Sequence, residues 1–131
     1  MEGTLTGGKK VTASDNVIVS YPISSSVTPS KTTTFYDYIS LKATFSGSVR
    51  ISMFTGSNYS SAKAIIIINI IRNNEVVYTT GEMQGGTSSG LTLSNDISDI
   101  KHGDIINIKL GTNYPNKTVS ISNFSIGGDL A

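Results

Sequence analysis

From Ile39 to the end of the chain, short runs of β-branched and aromatic residues alternate with Gly, Asn, Asp and Ser, and the last core strand opens on Gly103-Asp104-Ile105-Ile106. Turn residues that recur every ~8–12 positions are typical of antiparallel β-sandwiches. Apolar residues nowhere keep a helical spacing over three turns, and strong helix formers are sparse. The sequence therefore predicts an all-β fold, an antiparallel two-sheet β-sandwich of about eight strands with jelly-roll or Greek-key connections.

The longest alternating run, Lys31 to Phe45, predicts a half-buried strand. One face would carry Phe35, Ile39, Leu41, Ala43 and Phe45, and the other Tyr36, Tyr38, Ser40, Lys42 and Thr44. Tyr36 and Tyr38 would then be available to an oligomer contact or to packing by a second sheet. Ser46-Gly47-Ser48 is a turn, so residues 39–54 are interpreted as a hairpin.

Five further predictions come from later segments of the sequence. The run Ile65-Ile66-Ile67-Ile68 lacks alternation, which predicts a strand covered on both faces in its middle. Asn73-Asn74 predicts a two-residue hairpin turn. The apolar positions are odd-numbered before Ser122-Asn123 (Val119, Ile121) and even-numbered after it (Phe124, Ile126), which predicts a β-bulge. Residues 81–90 are interpreted as a polar loop, and residues 95–104 as a connection that has room for one helical turn.

The length of 131 residues fits one domain, placed at residues 11–131 behind a flexible N-terminal lead of residues 1–10. The absence of cysteine excludes disulfides, thiolate metal sites and cysteine nucleophiles. No signal peptide is visible after Met1, although the sequence is compatible with secretion as part of a longer chain. The most apolar segment, Ala64 to Ile71, is too short to span a bilayer, so we expect no membrane insertion.

The charge pattern argues against nucleic-acid binding. The net charge is +1, only 15% of the residues are charged, and Lys9-Lys10 is an isolated basic pair in the lead. Ser and Thr instead supply 35 residues and Ile supplies 17. We expect a surface that is polar through hydroxyls and amides over a β-branched core.

No constellation of catalytic residues can be assembled from the sequence, so we expect no enzymatic activity. His102 is the single histidine, and it lies in a predicted turn without a metal or nucleophile motif around it. Three aspartates lie close together in the sequence: Asp96, Asp99 and Asp104. Their spacing differs from that of an EF-hand calcium loop and suits residues that stabilise turns. Calcium binding is the minor alternative there, and no cofactor or metal is expected.

Two loop tyrosines are the candidate ligand-binding residues. Tyr59 and Tyr114 lie in Ser- and Asn-rich loops beside Asn58 and Asn113. A tyrosine ring flanked by amides suits a sugar, whose C–H face packs on the ring while its hydroxyls bond the amides. In the alternative interpretation, favoured by the sequence alone, both rings fold back as lids over the ends of the sandwich.

The order of the strand-end elements carries a resemblance. It runs from Lys31-Thr32-Thr33-Thr34 through Gly47-Ser48-Val49-Arg50-Ile51, Asn73-Asn74-Glu75-Val76, Asp96-Ile97 and Gly103-Asp104 to Val119-Ser120-Ile121-Ser122-Asn123-Phe124. Over residues 31–126 this resembles the small jelly-roll-like modules of tail and virion-associated proteins from phages and prophages of Gram-positive bacteria. The resemblance implies a virion, extracellular or cell-surface setting, and it brings no catalytic residues.

The resulting functional expectation is a non-enzymatic structural or adhesion module of a phage-tail or prophage-type surface assembly. Its partners would be other subunits of that assembly, including further copies in a homo-oligomer, and a surface glycan. The alternative is a carbohydrate-binding module that recognises cell-wall or plant glycans, with Tyr59 and Tyr114 as the platform.

Overall fold

The computed structural model describes residues 2–5, 18–21, 25–43 and 46–128, with side chains described over 26–43 and 46–127. These residues form eleven strands and no helix. The strands are β1 (Glu2–Leu5), β2 (Ile18–Tyr21), β3 (Ser25–Val27), β4 (Tyr36–Ala43), β5 (Gly47–Ser57), β6 (Ala64–Arg72), β7 (Glu75–Thr79), β8 (Met83–Gln84), β9 (Leu91–Ile100), β10 (Ile105–Thr112) and β11 (Val119–Gly128).

Two sheets make the sandwich. The first sheet has the order β1-β4-β10-β6-β7, with β8 also beside β6, and the second has the order β2-β11-β5-β9, with β3 also beside β11. β2 and β3 pair with successive stretches of β11, as β7 and β8 do with β6. The nested pairs β2/β3 with β11, β4 with β10, β5 with β9 and β6 with β7/β8 form a rolled-up antiparallel ribbon. The predicted jelly roll is therefore confirmed.

The predicted hairpin over residues 39–54 is wrong. β4 pairs with β10 in the first sheet, whereas β5 pairs with β11 and β9 in the second. In a rolled ribbon, strands adjacent in sequence cross from one sheet to the other. Because either arrangement buries alternate residues, the alternation around Ser46 could not distinguish a crossing from a hairpin.

The core is the layer of aliphatic side chains between the two sheets. The long strands β4, β5, β6, β9, β10 and β11 all contribute to it, and Ile66, Ile68, Ile106 and Ile108 of the paired β6 and β10 are fully buried. The outer face of β6 is also covered at one point, because Ile65 is only 4% exposed. Ile65 is paired with Gly111 of β10. The Phe35 ring lies close over Gly111, since a Cβ added to this glycine would be 2.6 Å from the ring. The prediction that the isoleucine run is covered on both faces in its middle is therefore correct only at its start, because Ile67 on the same outer face is partly exposed.

The placement of Tyr38 on a polar face is wrong. The ladder between β10 and β4 shifts register between Ile108 and Lys109, so Tyr38 bulges and points inward next to Ile39. Tyr38 is 7% exposed, and its ring meets that of Phe124 on the opposite sheet edge to face, with centroids 5.8 Å apart. Burial raises the pKa of the Tyr38 phenol. The alternative of packing by a second sheet is the correct one for Tyr38, while Tyr36 stays exposed.

The predicted bulge at Ser122-Asn123 is confirmed. The register between β11 and β5 shifts between Ser122 and Ser125, and Asn123 has a positive φ of 51°. The extra residue lets Ile121 and Phe124 both point into the core. The turn at Asn73-Asn74 is also confirmed, since both residues have positive φ, of 52° and 64°, between the paired Arg72 and Glu75.

Residues 91–104 differ from the prediction. Instead of a short strand and a connection, β9 continues to Ile100, and no helical turn forms. Its residues are polar because β9 is an edge strand with one exposed face. The predicted polar loop at 81–90 contains the short strand β8. Residues 2–5 of the predicted lead form β1, and residues 6–10, with Lys9-Lys10, lie outside the described residues.

An ion pair with a buried carboxylate ties the start of β10 to the end of β6. Asp104 is 1% exposed and accepts hydrogen bonds from Arg72 Nε and Nη2, each at 2.8 Å. Its carboxylate also accepts from the Lys101 backbone N–H, closing the turn before β10 as the sequence suggests. The Arg72 hydrogen bonds hold the pKa of Asp104 below its ordinary value of 3.8, against the opposing effect of burial.

We expect Asp104→Asn to lower the free energy of unfolding by about 2 kcal/mol at neutral pH, because Arg72 loses its charged partner. Since the pKa of Asp104 is lowered by folding, its stabilisation is present above the ordinary value of 3.8 and is lost as the pH falls towards the folded pKa. Urea unfolding measured from neutral pH down to below pH ~3.8 should show that the difference in unfolding free energy between the parent and the Asp104→Asn variant becomes smaller in acid. Asp96→Asn, in the exposed Arg50–Asp96 pair, is the control and should change little. An equal loss at all pH values would contradict the assignment.

We expect Asn123→Val to destabilise the fold by about 1–2 kcal/mol, because a β-branched residue resists positive φ. Asn123→Gly is the matched control and should melt within a few degrees of the parent. Thermal unfolding followed by circular dichroism measures both. Equal melting temperatures for the two variants would show that the bulge does not depend on this conformation.

Candidate functional site

Two loops meet at one end of the sandwich, and each is built by the same local device. Tyr59 follows β5 and Tyr114 follows β10. In each loop, a hydroxyl two residues earlier accepts from the tyrosine backbone N–H, Ser57 Oγ at 3.2 Å and Thr112 Oγ1 at 3.1 Å. Such hydroxyl turns make the chain reverse tightly, so both tyrosines stand at the tips of short, ordered turns.

The tyrosine rings lie against each other. Their centroids are 5.3 Å apart with an interplanar angle of 69°, and the side chains are 38% and 41% exposed. Lys117 Nζ lies 4.2 Å from the centroid of the Tyr59 ring and 5.8 Å from that of Tyr114. An ammonium over an aromatic face is attracted to the negative π-surface. The rings therefore form a pair that holds a cation and keeps part of its surface in solvent.

The two flanking asparagines lock the loops to their neighbours. Asn58 Oδ1 accepts from the Thr118 backbone N–H at 3.1 Å, and the Asn58 N–H donates back to the Thr118 carbonyl at 3.0 Å. Asn113 makes the same reciprocal pair with Lys63, at 2.6 Å and 3.3 Å. Among the described residues, no partner is seen for either Nδ2 group. Each asparagine thus fixes a loop with its oxygen and keeps two N–H donors for another molecule.

We call Asn58, Tyr59, Asn113, Tyr114 and Lys117 the tyrosine end. The structure brings together all four residues singled out from the sequence, although they come from two separate loops. Lys117 is the member that sequence reasoning missed. Nothing in the spacing of Lys117 pointed to Tyr59, because their contact is made between loops.

Two of the three acidic residues considered for calcium, Asp96 and Asp104, are paired with arginines. Asp96 pairs with Arg50 at 2.7 Å, and the Arg50 hydrogen bonds lower the pKa of Asp96. Asp104 is bound by Arg72, as described above. No group of three or more His, Asp or Glu side chains within the described ranges is arranged to hold a metal ion. His102 is exposed in its turn, where its backbone N–H donates to Ser46 Oγ.

A polar network crosses the outer face of the first sheet. Asp37 accepts from Lys109 Nζ at 2.7 Å and from Asn107 Nδ2 at 3.2 Å, and Asn107 also donates to Ser40 Oγ. These hydrogen bonds, led by that of Lys109, lower the pKa of Asp37. The network joins β4 to β10 beside the Tyr38 bulge, so its evident role is to hold the register of that pair.

No protein-family model, curated protein or solved structure matches this chain. Within the described part of the chain, no helix is long and apolar enough to cross a membrane.

We expect added calcium to leave the melting temperature unchanged, because Asp96 and Asp104 already pair with arginine guanidinium groups. A ligand that binds only the folded state raises the melting temperature, and the stabilisation grows with the logarithm of the ligand concentration above its dissociation constant. Thermal unfolding with calcium and with a chelator measures this directly. A calcium-dependent rise that Asp99→Asn removes would place a cation site in β9.

Proposed function

We propose that this chain is a non-enzymatic adhesion module of a surface assembly of the phage-tail or virion type, and that it attaches by binding glycan at the tyrosine end. The supporting observation is the convergence of Tyr59 and Tyr114, from separate loops, into one partly exposed aromatic pair. The virion setting rests on the resemblance noted in the sequence, with which a jelly-roll fold is compatible.

The chemistry of the tyrosine end suits a saccharide. Ring surface is available to the C–H face of a pyranose, and the Nδ2 groups of Asn58 and Asn113 can donate to hydroxyl oxygens. Because the asparagine oxygens are already bonded within the protein, these donors are held in position before a ligand arrives. Pre-organised donors lower the entropy cost of binding.

Lys117 sets a condition on how a sugar could stack. Its ammonium occupies one face of the Tyr59 ring, at 4.2 Å from the centroid. A sugar would use the surface that Lys117 leaves free, with the ammonium as a further donor to a hydroxyl or to an acidic substituent. Glycans that carry a carboxylate or phosphate should therefore bind more tightly than their neutral counterparts, and more so at low salt.

We expect labelled protein to bind saturably to Gram-positive cell-wall glycans or to members of a general glycan array. Tyr59→Ala and Tyr114→Ala should each weaken binding by about tenfold or more, through loss of ring contact. Phe54→Ala is the matched control, because Phe54 is an aromatic residue of similar exposure, 40%, but lies within β5, where its ring packs over Gly90 and not against either tyrosine. Unfolding curves would confirm that all three variants fold.

Binding that survives both tyrosine substitutions would overturn the assignment of the site, and no binding by the parent protein would overturn glycan adhesion altogether. Lys117→Ala separates the two contributions of the tyrosine end. Loss of the preference for acidic glycans, with neutral binding retained, is the expected result for this variant.

A carbohydrate-binding module outside a virion is the second candidate, and the same tyrosine end supports it. The two settings differ in assembly, since a subunit of a surface particle would associate with further copies of itself while such modules are commonly monomeric. Light scattering of the purified chain distinguishes them. A trimer or hexamer favours the assembly, and a monomer that binds glycan favours the free module.

A further inference from the structure

The open side of the sandwich contains a cleft between the two edge strands that face each other there. β7 is the last strand of the first sheet and β9 the last of the second. The cleft has a volume of about 400 Å³, with Val77 and Tyr78 on the β7 side and Ser98 and Asp99 on the β9 side. This volume lies within the range of small-molecule sites, about 300–1,000 Å³.

Both walls of the cleft are made by bulged strands. The β6–β7 ladder shifts register between Ile70 and Ile71, so that Val77 is the extra residue. The β5–β9 ladder shifts between Gly47 and Val49, opposite Ser98 and Asp99, and Asp99 has a left-handed φ of 62°. Bulges redirect side chains and are frequent beside binding sites. Strain at a non-glycine residue with positive φ likewise concentrates at functional positions.

The cleft has one apolar wall and one polar wall. Val77 and Tyr78 remain 48% and 45% exposed on the β7 side, an unusual amount for adjacent large side chains on one strand. The buried Ile70 and Ile97 lie beneath them. On the other side, Ser98, Asp99 and Lys101 supply a hydroxyl, a carboxylate and an ammonium.

The charges of the cleft balance. Asp96 is paired with Arg50, and Arg72 is paired with Asp104 while also donating to the Asp99 carbonyl at 3.3 Å. The Asp99 carboxylate and the Lys101 ammonium remain: within the described ranges neither forms a hydrogen bond or a close ion pair, although Asp99 attracts Arg72 and Lys101 attracts Asp104 at longer range, and they carry opposite charges. A neutral cleft favours a neutral ligand over a simple anion or cation, because no net charge is left to be compensated.

We propose that the β7–β9 cleft is a second binding site, independent of the tyrosine end, for a neutral saccharide of one or two rings. The sugar's C–H face would pack on Tyr78 and Val77, while Asp99 accepts from its hydroxyls and Ser98 and Lys101 donate or accept on the same side. The bulges argue against an added peptide strand, because an interrupted edge offers no continuous ladder.

On this open side, the cleft lies towards the end of the sandwich that is opposite the tyrosine end. Arg72 in its lining pairs with Asp104, which precedes β10, whereas Tyr114 follows β10, so the eight residues of β10 separate the two sites by about 25 Å. A chain with two separated glycan sites would bind a multivalent surface more tightly than either site alone. The two sites can be tested separately for the same reason.

The test is a titration of isotope-labelled protein with neutral mono- and disaccharides, including N-acetylglucosamine, glucose, galactose and maltose, followed by amide chemical shifts. We expect at least one of these sugars to shift the amides of Tyr78, Ser98, Asp99 and Lys101 with a millimolar dissociation constant. Tyr78→Ala and Asp99→Asn should each weaken that binding about tenfold. Asparagine tolerates the left-handed conformation of Asp99, so this variant removes charge and keeps the backbone.

Val76→Ala is the matched control, because Val76 is 55% exposed on the same strand but does not line the cleft. It should bind like the parent. Shifts confined to the loops of Tyr59 and Tyr114 would overturn the cleft site and leave the tyrosine end standing. Shifts in the cleft that persist in the Tyr59→Ala, Tyr114→Ala double variant support the second site even if glycan adhesion at the tyrosine end fails. Absence of cleft shifts with every sugar, or equal effects of Val76→Ala and Tyr78→Ala, would overturn the proposal.

Discussion

Burial of one continuous aliphatic layer between two sheets is the constraint on which the rest of this structure depends. Each buried isoleucine contributes about 1.5–3 kcal/mol when it leaves water, so each strand must keep its apolar side chains on the inner side. The chain departs from regular pairing where strict alternation would break this rule. The bulges at Tyr38 and Asn123 each add one residue, and each keeps a large ring, Tyr38 or Phe124, inside the core. The edge-to-face contact between these two rings joins the sheets directly.

The Arg72–Asp104 pair, in which the carboxylate is buried, has a different role, since a buried ion pair adds less net stability than apolar contacts of similar volume. It selects geometry. Asp104 binds the end of β6 and the turn before β10, and Arg72 reaches across to the Asp99 carbonyl on β9. The pair therefore links the end of β6 in the first sheet to the end of β9 in the second. The β7–β9 cleft lies beside this link, between the bulge at Val77 and the bulge at Ser98-Asp99.

The candidate site shows where sequence reasoning succeeds and stops. Tyr59, Tyr114 and their asparagines could be selected because aromatic residues in polar loops are chemically conspicuous. Their mutual contact and the ammonium of Lys117 could not be predicted, since all depend on two loops meeting at one end of a sandwich. No pattern in the sequence indicated the cleft between β7 and β9. Its residues were interpreted as parts of an ordinary hairpin and of a connection, and only the pairing of edge strands in different sheets makes them neighbours.

Local sequence is sufficient to predict the all-β class, the positions of most strands, the Asn73-Asn74 turn and the β11 bulge, because each depends on residues close together in the chain. Backbone conformational preferences and the alternation of apolar and polar side chains along a strand are local properties. They can therefore be recognised in the sequence without knowing the partner strand. Tertiary structure decided which strands pair, that β4 and β5 belong to different sheets, that Tyr38 points inward, and that residues 95–100 extend β9. The physical reason is that a strand buries alternate residues against any partner, so alternation specifies that a face is covered but leaves open which part of the chain covers it.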